Sequence, residues 1–142
     1  MPVTESPSIQ TLASPVLLTT AFSASTSGAV VVGPGFQPVD ALRTVVCPPE
    51  NGPCRIEADQ AMQVTGGPGG ANRWAICTQV DGVFMDRPSC PFMGQINTGY
   101  FQSGAFSQQR RALPGSHTVR TFIYTDYGAT LGNYSVQYRV YQ

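Results

Sequence analysis

The sequence predicts an all-β fold, an antiparallel β-sandwich of jelly-roll or Ig-like form that follows an extended N-terminal arm. Short runs of β-branched and aromatic residues, roughly ten in all, are separated by Gly, Pro and Ser about every ten residues. No window places apolar residues at helical spacing over the length of a helix. The chain of 142 residues also contains four cysteines in two local pairs, which is typical of small disulfide-linked β-domains.

Residues 1–15 form the predicted arm, because three prolines and a Ser- and Thr-rich composition prevent a continuous helix or central strand. Residues 16–142 form a single predicted β-sandwich domain. The apolar segment 15–22 has the composition of a strand that could be donated to a second copy of the chain. Its predicted assembly residues are Val16, Leu17, Leu18 and Phe22.

The next β-rich runs cover residues 17–22, 29–32, 42–47 and 54–64. The clearest hairpin follows them, since Trp74, Ile76 and Thr78 fall on one face of a strand that ends at a turn formed by Asp81 and Gly82. This dipeptide accepts the positive φ angles of a tight turn, and Val83 begins the return strand.

The last two strands differ in their faces. Residues 134–141 alternate with period two, so that one face is predicted to be core and the other wetter. Residues 118–125 carry bulk on both faces, because Arg120, Phe122 and Tyr124 lie opposite an apolar set. A strand of this kind is usually covered on both sides, so we predict that a loop, the arm or a partner subunit contacts Phe122 and Tyr124.

The four cysteines are predicted to pair locally, Cys47 with Cys54 and Cys77 with Cys90, because each pair brackets turn-forming residues. Each bond would then close a β-hairpin, with a stabilisation of about 2.5 and about 3 kcal/mol in the chain-entropy model. Sequence proximity alone favours this pairing among the three that are possible, and free buried thiols are the alternative. The spacings differ from zinc knuckles and His117 is the only histidine, so no metal site is predicted.

Composition restricts the partners and the location. Charged residues make up 11% of the chain, the net charge is zero and lysine is absent, which excludes the basic surface that nucleic acid requires. Low charge permits self-association, and no run is long enough for a membrane-spanning helix. The disulfides predict a secreted or cell-surface protein. The first residues lack signal-peptide features, so either a signal was removed or the protein is released by another route, as virion proteins are.

The candidates for catalysis are weak, and no catalytic residue or cofactor is predicted. The Gly-rich stretch 65–70 lacks the Lys of a phosphate-binding loop. His117 could serve a hydrolase, but its sequence neighbour Ser116 points to the opposite side of an extended chain. Glu57 and Asp59 share a strand face and could act as paired carboxylates, although such pairs are usually solvated.

Exposed aromatic residues are the best indication of a ligand. Rings near turns, next to Asn, Gln and Arg donors, make a surface that stacks on sugars or contacts proteins. The predicted ligand-binding residues are Tyr100, Phe101 and Tyr127.

Several segments resemble small secreted bacterial β-sandwich proteins of uncharacterised function. The similar segments are 113–119 (LPGSHTV), 134–141 (YSVQYRVY), 75–77 (AIC), 80–82 (VDG) and 90–91 (CP). The resemblance covers roughly residues 42–141 and implies export and a β-sandwich, with no catalytic residues.

The sequence therefore predicts a non-catalytic extracytoplasmic protein that works by assembly, as a surface filament, coat or decoration subunit. Its partner would be a second copy or another protein. A carbohydrate-binding module is the first alternative, and a hydrolase that uses Glu57, Asp59 or His117 is the last.

Overall fold

The computed structural model describes residues 17–25, 30–66, 72–85, 90, 92–96 and 101–142, with side chains from residue 31 onward. The predicted arm and Val16 lie outside these residues. The described strands are β1 (Leu17–Ser25), β2 (Val30–Val32), β3 (Gly35–Pro38), β4 (Arg43–Cys47), β5 (Cys54–Thr65), β6 (Arg73–Val80), β7 (Val83–Phe84), β8 (Phe92–Gln95), β9 (Gln102–Ala112), β10 (Gly115–Thr125) and β11 (Ala129–Tyr141). In the described part of the chain there is no helix that is long and apolar enough to cross a membrane.

The strands form two antiparallel sheets that pack face to face. Sheet A has the order β1-β11-β5-β9, with β2 also on β11, and sheet B has the order β3-β10-β6-β7, with β4 also on β10 and β8 also on β6. Counting the pairs β1/β2, β3/β4 and β7/β8 as single positions gives eight positions in the orders 1-8-3-6 and 2-7-4-5. The predicted β-sandwich is confirmed, and this order is that of a jelly roll.

Alternating side chains on the facing strands form the core. In β5 every second residue is buried, from Cys54 to Val64. One half of the core includes Ile56, Val119 and Val140, and the other half includes Trp74. Burial of each large apolar side chain contributes about 1.5 to 3 kcal/mol, so the core is the main source of stability.

A chain of hydrogen bonds crosses the core from one sheet to the other. The Gln60 side-chain amide donates to the Thr78 hydroxyl. Thr78 Oγ1 lies 2.7 Å from Thr121 Oγ1, which lies 2.7 Å from the Tyr138 hydroxyl. That hydroxyl donates to the buried Asp40 carboxylate at 3.5 Å, and burial raises the pKa of Tyr138 above its usual value. Because Gln60 and Tyr138 belong to sheet A and both threonines to sheet B, the chain fixes how the sheets face each other.

Both predicted disulfides are confirmed, with Cα–Cα distances of 5.8 Å for Cys47–Cys54 and 5.5 Å for Cys77–Cys90. The prediction that Cys47–Cys54 closes a hairpin is wrong, because β4 belongs to sheet B and β5 to sheet A. This bond therefore joins the two sheets. Cys77–Cys90 joins the middle of β6 to the residue two positions before β8, so it encloses the β6–β7 hairpin and the chain beyond it.

The predicted turn at Asp81 and Gly82 is confirmed. Asp81 has φ +52° and Gly82 has φ +80°, and β6 continues into β7 through them. A positive φ at both central positions is the requirement of the tight hairpin turn that this dipeptide favours.

Candidate binding surfaces

The outer face of sheet B carries a cluster of five aromatic rings, which we call the aromatic face. β10 contributes two aromatic rings on this side of the sheet, and the short strands β3, β7 and β8 contribute one ring each. The residues of the aromatic face are Phe36, Phe84, Phe92, Phe122 and Tyr124. The cluster thus depends on three strands of two to four residues that border β10 and β6.

The rings contact one another in a continuous row. Phe36 lies 5.0 Å from Phe84 and 4.9 Å from Tyr124, measured between ring centroids. Phe84 meets Phe122 at 6.4 Å, and Phe92 meets Tyr124 at 5.8 Å, both edge to face. These are the distances and tilts that aromatic pairs prefer, so each ring restricts the motion of its neighbours.

Small residues beneath the rings explain why they can lie on the sheet. Ala75 on β6 is opposite Tyr124 and Cys77 is opposite Phe122, and both are buried. The rings therefore cover the Cys77–Cys90 disulfide. The expected cover of β10 comes from rings of the same sheet, and two of these remain open to solvent, Phe36 at 44% and Phe92 at 48% exposure.

Two arginines border the aromatic face. The Arg73 guanidinium lies 4.1 Å from the Phe92 ring centroid, and the Arg120 guanidinium lies 5.9 Å from that of Phe122. Arg73 also forms a 3.0 Å ion pair with Asp126, which lowers the pKa of that carboxyl below its usual value. The face thus has an aromatic centre and a partly charged rim.

The outer face of sheet A is concave and carries several polar side chains. Two adjoining cavities of about 530 and 230 Å³ lie along β5, and both have Ala61, Ala105 and Ser135 in their walls. We call this pair the polar trough. Its other walls carry amides, hydroxyls and one carboxylate from β5, β9 and β11, namely Gln63, Ser103, Ser107, Asn133, Gln137 and Asp59.

A third cavity of about 470 Å³ lies at the opposite end of the same face, and we call it the arginine cavity. Its walls include Arg55, Arg110 and Arg111, with Tyr141 beside them. Residues 109–111 lie near the end of β9 and Tyr141 ends β11, so the cavity lies where these strands finish and β5 begins.

The two predicted carboxylates lie on the outer face of sheet A, but they do not form a free pair. Asp59 forms an ion pair with Arg139 and accepts a 2.6 Å hydrogen bond from Ser107. Glu57 is opposite Arg139 in the β5–β11 ladder. The engaged Asp59 is therefore a structural group in this arrangement.

His117 supports the β6–β7 turn. Its Nδ1 lies 2.6 Å from Asp81 Oδ2 and its Nε2 lies 2.6 Å from the Leu113 carbonyl oxygen, so both ring nitrogens face acceptors. The Asp81 carboxylate, followed by the Leu113 carbonyl, raises the pKa of His117, and His117 in turn lowers that of Asp81. This geometry favours the imidazolium form and leaves no ring nitrogen free to act as a base.

The structure does not bring the predicted ligand residues together. Tyr100 lies outside the described residues, while Phe101 and Tyr127 are exposed. Phe101 borders Gly132, where an added Cβ would lie 2.9 Å from its ring, whereas the Tyr127 backbone amide donates to the Asn72 side chain. No ring contact joins Phe101 to Tyr127.

Of the predicted assembly residues, Phe122 and Tyr124 lie in the aromatic face. Leu17, Leu18 and Phe22 belong to β1, which pairs with β11 of its own chain. The structure describes the backbone of these residues and not their side chains. Sequence reasoning missed Phe36, Phe84 and Phe92. In the sequence, each of these residues is a single aromatic ring in a short β-rich run. Such a ring predicts a shared cluster only when the pairing of its strand with β10 or β6 is known.

Among the described residues, no three His, Cys, Asp or Glu side chains are grouped so that they could hold a metal ion.

Comparison with known proteins gives likeness of fold only. No protein-family model matches the sequence, and no curated protein matches it. A family 35 carbohydrate binding module from Clostridium thermocellum has 13% identity and a TM-score of 0.35, over 87% of this chain and 98% of that one. The CBM22-1 xylan-binding domain of Xyn10C from Paenibacillus barcinonensis has 11% identity and a TM-score of 0.36, over 86% and 94%. At this distance neither similarity bears on function.

Proposed function

We propose that this protein is a non-catalytic, extracytoplasmic assembly subunit that contacts a second copy of itself through the aromatic face. The observation that carries the proposal is the pair Phe36 and Phe92, each nearly half exposed at the outside of a five-ring cluster. Exposed apolar patches with a polar rim mark interaction surfaces, and aromatic residues and Arg are enriched at such interfaces.

Rigidity and charge both support association. The rings are held by one another and by the sheet, so little side-chain entropy remains to be lost on binding. The net charge of zero gives little repulsion between copies. A sheet face that meets its own copy across a two-fold axis makes a closed, self-complementary contact.

An extracytoplasmic location fits the two disulfides, because such bonds persist in oxidising compartments. Surface filament, coat and virion decoration are the settings in which a subunit of this kind would act. A different protein could take the place of the second copy at the same face.

Replacing Phe36 and Phe92 together with serine should convert self-associated protein to monomer, since it removes the exposed rings and leaves the core intact. Sedimentation equilibrium over a concentration series measures this. The matched control replaces Leu42 and Leu113 with serine, since both are apolar residues elsewhere on the surface and are even more exposed, at 61% and 69%. A wild-type protein that is monomeric at all concentrations, or equal effects of both variants, contradicts the proposal.

We further propose that β1 can be exchanged between copies. In this structure β1 is the edge strand of sheet A and pairs antiparallel with residues 134–141 of β11. An exchanged β1 would make the same ladder with the β11 of another copy, so no new contact is needed, and swaps of this kind are a low-cost route to dimers. The connecting residues 26–29 lie outside the described residues.

A cross-strand disulfide distinguishes exchange from the closed form. Ala24 and Ser135 are opposite in the ladder, so Ala24→Cys with Ser135→Cys should give a covalent dimer on a non-reducing gel if the strand is exchanged. Ala24→Cys alone is the control for dimers through a lone thiol. A double variant that stays monomeric while its new thiols disappear shows pairing within one chain and rules exchange out.

The alternatives have less support. A hydrolase would need a free carboxylate pair or base, whereas Asp59 is paired with Arg139 and His117 uses both ring nitrogens. Sugar binding through Phe101 and Tyr127 stays a prediction.

A further inference from the structure

The arginine cavity is a local concentration of positive charge in a chain whose net charge is zero. Three of the chain's eight basic residues, Arg55, Arg110 and Arg111, contribute to its walls, and no acidic residue does. Arg55 and Arg111 are opposite each other in the β5–β9 ladder. Like charges in this position destabilise a sheet, so a negative charge nearby would reduce the repulsion between the two arginines.

That compensation does not come from the described part of the chain. The four ion pairs found there use Arg43, Arg73, His117 and Arg139, so Arg55 and Arg111 have no carboxylate partner. Arg110 donates to the carbonyl oxygen of Phe84 in sheet B at 3.2 Å, so its guanidinium points between the sheets and lies on the other side of β9 from that of Arg111. The positive charge of the cavity therefore comes from Arg55 and Arg111, and none of the described ion pairs neutralises it.

A second observation points to a ligand. The Nε atom of Arg55 is buried and has no hydrogen-bond partner. Its guanidinium lies 4.7 Å from the Tyr141 ring centroid, and this contact fixes the plane of the fork. A buried donor without a partner is unfavourable in a folded protein, and an anion bound by the terminal nitrogens of the same guanidinium would offset that cost electrostatically.

The wall beside Arg55 is held in place by hydrogen bonds and by a disulfide. Gln142, next to Tyr141, donates to the carbonyl oxygens of Pro48 and Gly52 at 2.6 and 2.9 Å. The Cys47–Cys54 disulfide closes the loop that carries both carbonyls. The end of β11 is thereby attached to the loop before β5, so the cavity exists before any ligand arrives.

We propose that the arginine cavity binds the carboxylate of an acidic sugar chain, with the rest of the chain lying along sheet A toward the polar trough. A guanidinium fork matches a carboxylate in charge and in geometry. The polar trough follows on the same sheet face, and its amides and hydroxyls both donate and accept, as sugar hydroxyls do. Its one carboxylate, Asp59, is paired with Arg139.

The same face is less suited to other anions. An acidic peptide would be recognised mainly by pairing with a strand edge, whereas the arginine cavity and the polar trough lie on a face. Nucleic acid requires a run of phosphate contacts, and the positive charge here is confined to one end, because Arg139 is paired with Asp59. The proposal is independent of the aromatic face, which belongs to the other sheet, so either can fail alone.

Calorimetric titration with an oligogalacturonate, a chain of uronic acid units, tests the proposal on the full chain. We expect binding that weakens as salt is raised, and a loss of at least about tenfold when the same oligomer is fully methyl-esterified. Arg55→Gln and Arg111→Gln should each lower the affinity by at least about tenfold, as expected for one charge-assisted hydrogen bond. Arg111 is exposed, so that variant keeps the fold if Arg55→Gln does not.

Arg43→Gln is the matched control, because Arg43 lies on β4 of the opposite sheet, outside both proposed binding surfaces, and its affinity should equal that of the wild type. Three results overturn the proposal: no binding of oligogalacturonate, equal binding of the esterified oligomer, or unchanged affinity in both cavity variants. Equal or tighter binding of a polyglutamate peptide, or of inorganic sulfate alone, overturns the assignment to a sugar chain.

Discussion

Replacing Trp74 with alanine should lower the free energy of unfolding by about 3 to 5 kcal/mol, because it empties the largest buried site of the sandwich. The indole is 1% exposed and lies between the sheets. It packs across to β9, where Gly104 faces it, and beside Gly94 of β8. Urea denaturation monitored by far-ultraviolet circular dichroism measures the change, since the variant has lost its only tryptophan.

The glycine opposite Trp74 allows a sharper version of this test. A Cβ at Gly104 would lie 2.6 Å from Cη2 and 3.0 Å from Cζ2 of the indole. Gly104→Ala should therefore cost about 1 to 3 kcal/mol in the wild type and clearly less in a Trp74→Phe background, whose ring lacks those atoms. Gly33→Ala, which meets only the end of a flexible glutamine at 3.7 Å, is the control. Equal costs of Gly104→Ala in both backgrounds would show that the two residues are not coupled.

Local patterns predicted eight of the eleven described strands, all except β3, β8 and β9, and the turn at Asp81 and Gly82, because those features depend on neighbouring residues. Alternation assigns a side chain to one face of a strand, and the Asp-Gly pair accepts positive φ angles. Neither property depends on distant residues. The β-sandwich could thus be predicted from sequence.

Strand partners could not be predicted in the same way. Cys47 and Cys54 flank a turn, which suggested a hairpin, but the chain crosses from sheet B to sheet A between them. The hydrophobic pattern of β4 and β5 is the same in either arrangement. Only the packing of whole sheets decides which neighbour each strand takes, and that is a long-range property.

The same difference between local and long-range features applies to the candidate sites. Phe122 and Tyr124 were predicted because they alternate within one strand, while Phe36 and Phe92 join them only through pairing with β10 and β6. The arginine cavity depends on pairing as well, since Arg55 meets Arg111 only when β5 and β9 lie side by side. Charge counting over the chain gave zero and concealed this local excess.

Removing each disulfide should destabilise the protein by a similar amount but impair a different surface. The chain-entropy model gives about 2.5 kcal/mol for Cys47–Cys54 and about 3 kcal/mol for Cys77–Cys90. Together these are a large share of the roughly 5 to 15 kcal/mol that stabilises a typical domain. Thermal unfolding of the two Cys→Ala double variants, compared with thiol-reduced wild type, measures both values. An unchanged midpoint after complete reduction would contradict them.

The two disulfides lie next to different surfaces, so their removal should have different functional effects. Cys77–Cys90 lies beneath Phe84, Phe122 and Tyr124, so its removal should loosen the aromatic face and weaken self-association. Cys47–Cys54 closes the loop that holds Gln142 beside the arginine cavity, so its removal should weaken oligogalacturonate binding instead. Sedimentation and calorimetry on both variants, at a temperature where each is folded, compare the two effects. If both variants lose both properties equally, the bonds stabilise the fold as a whole and neither has a local role.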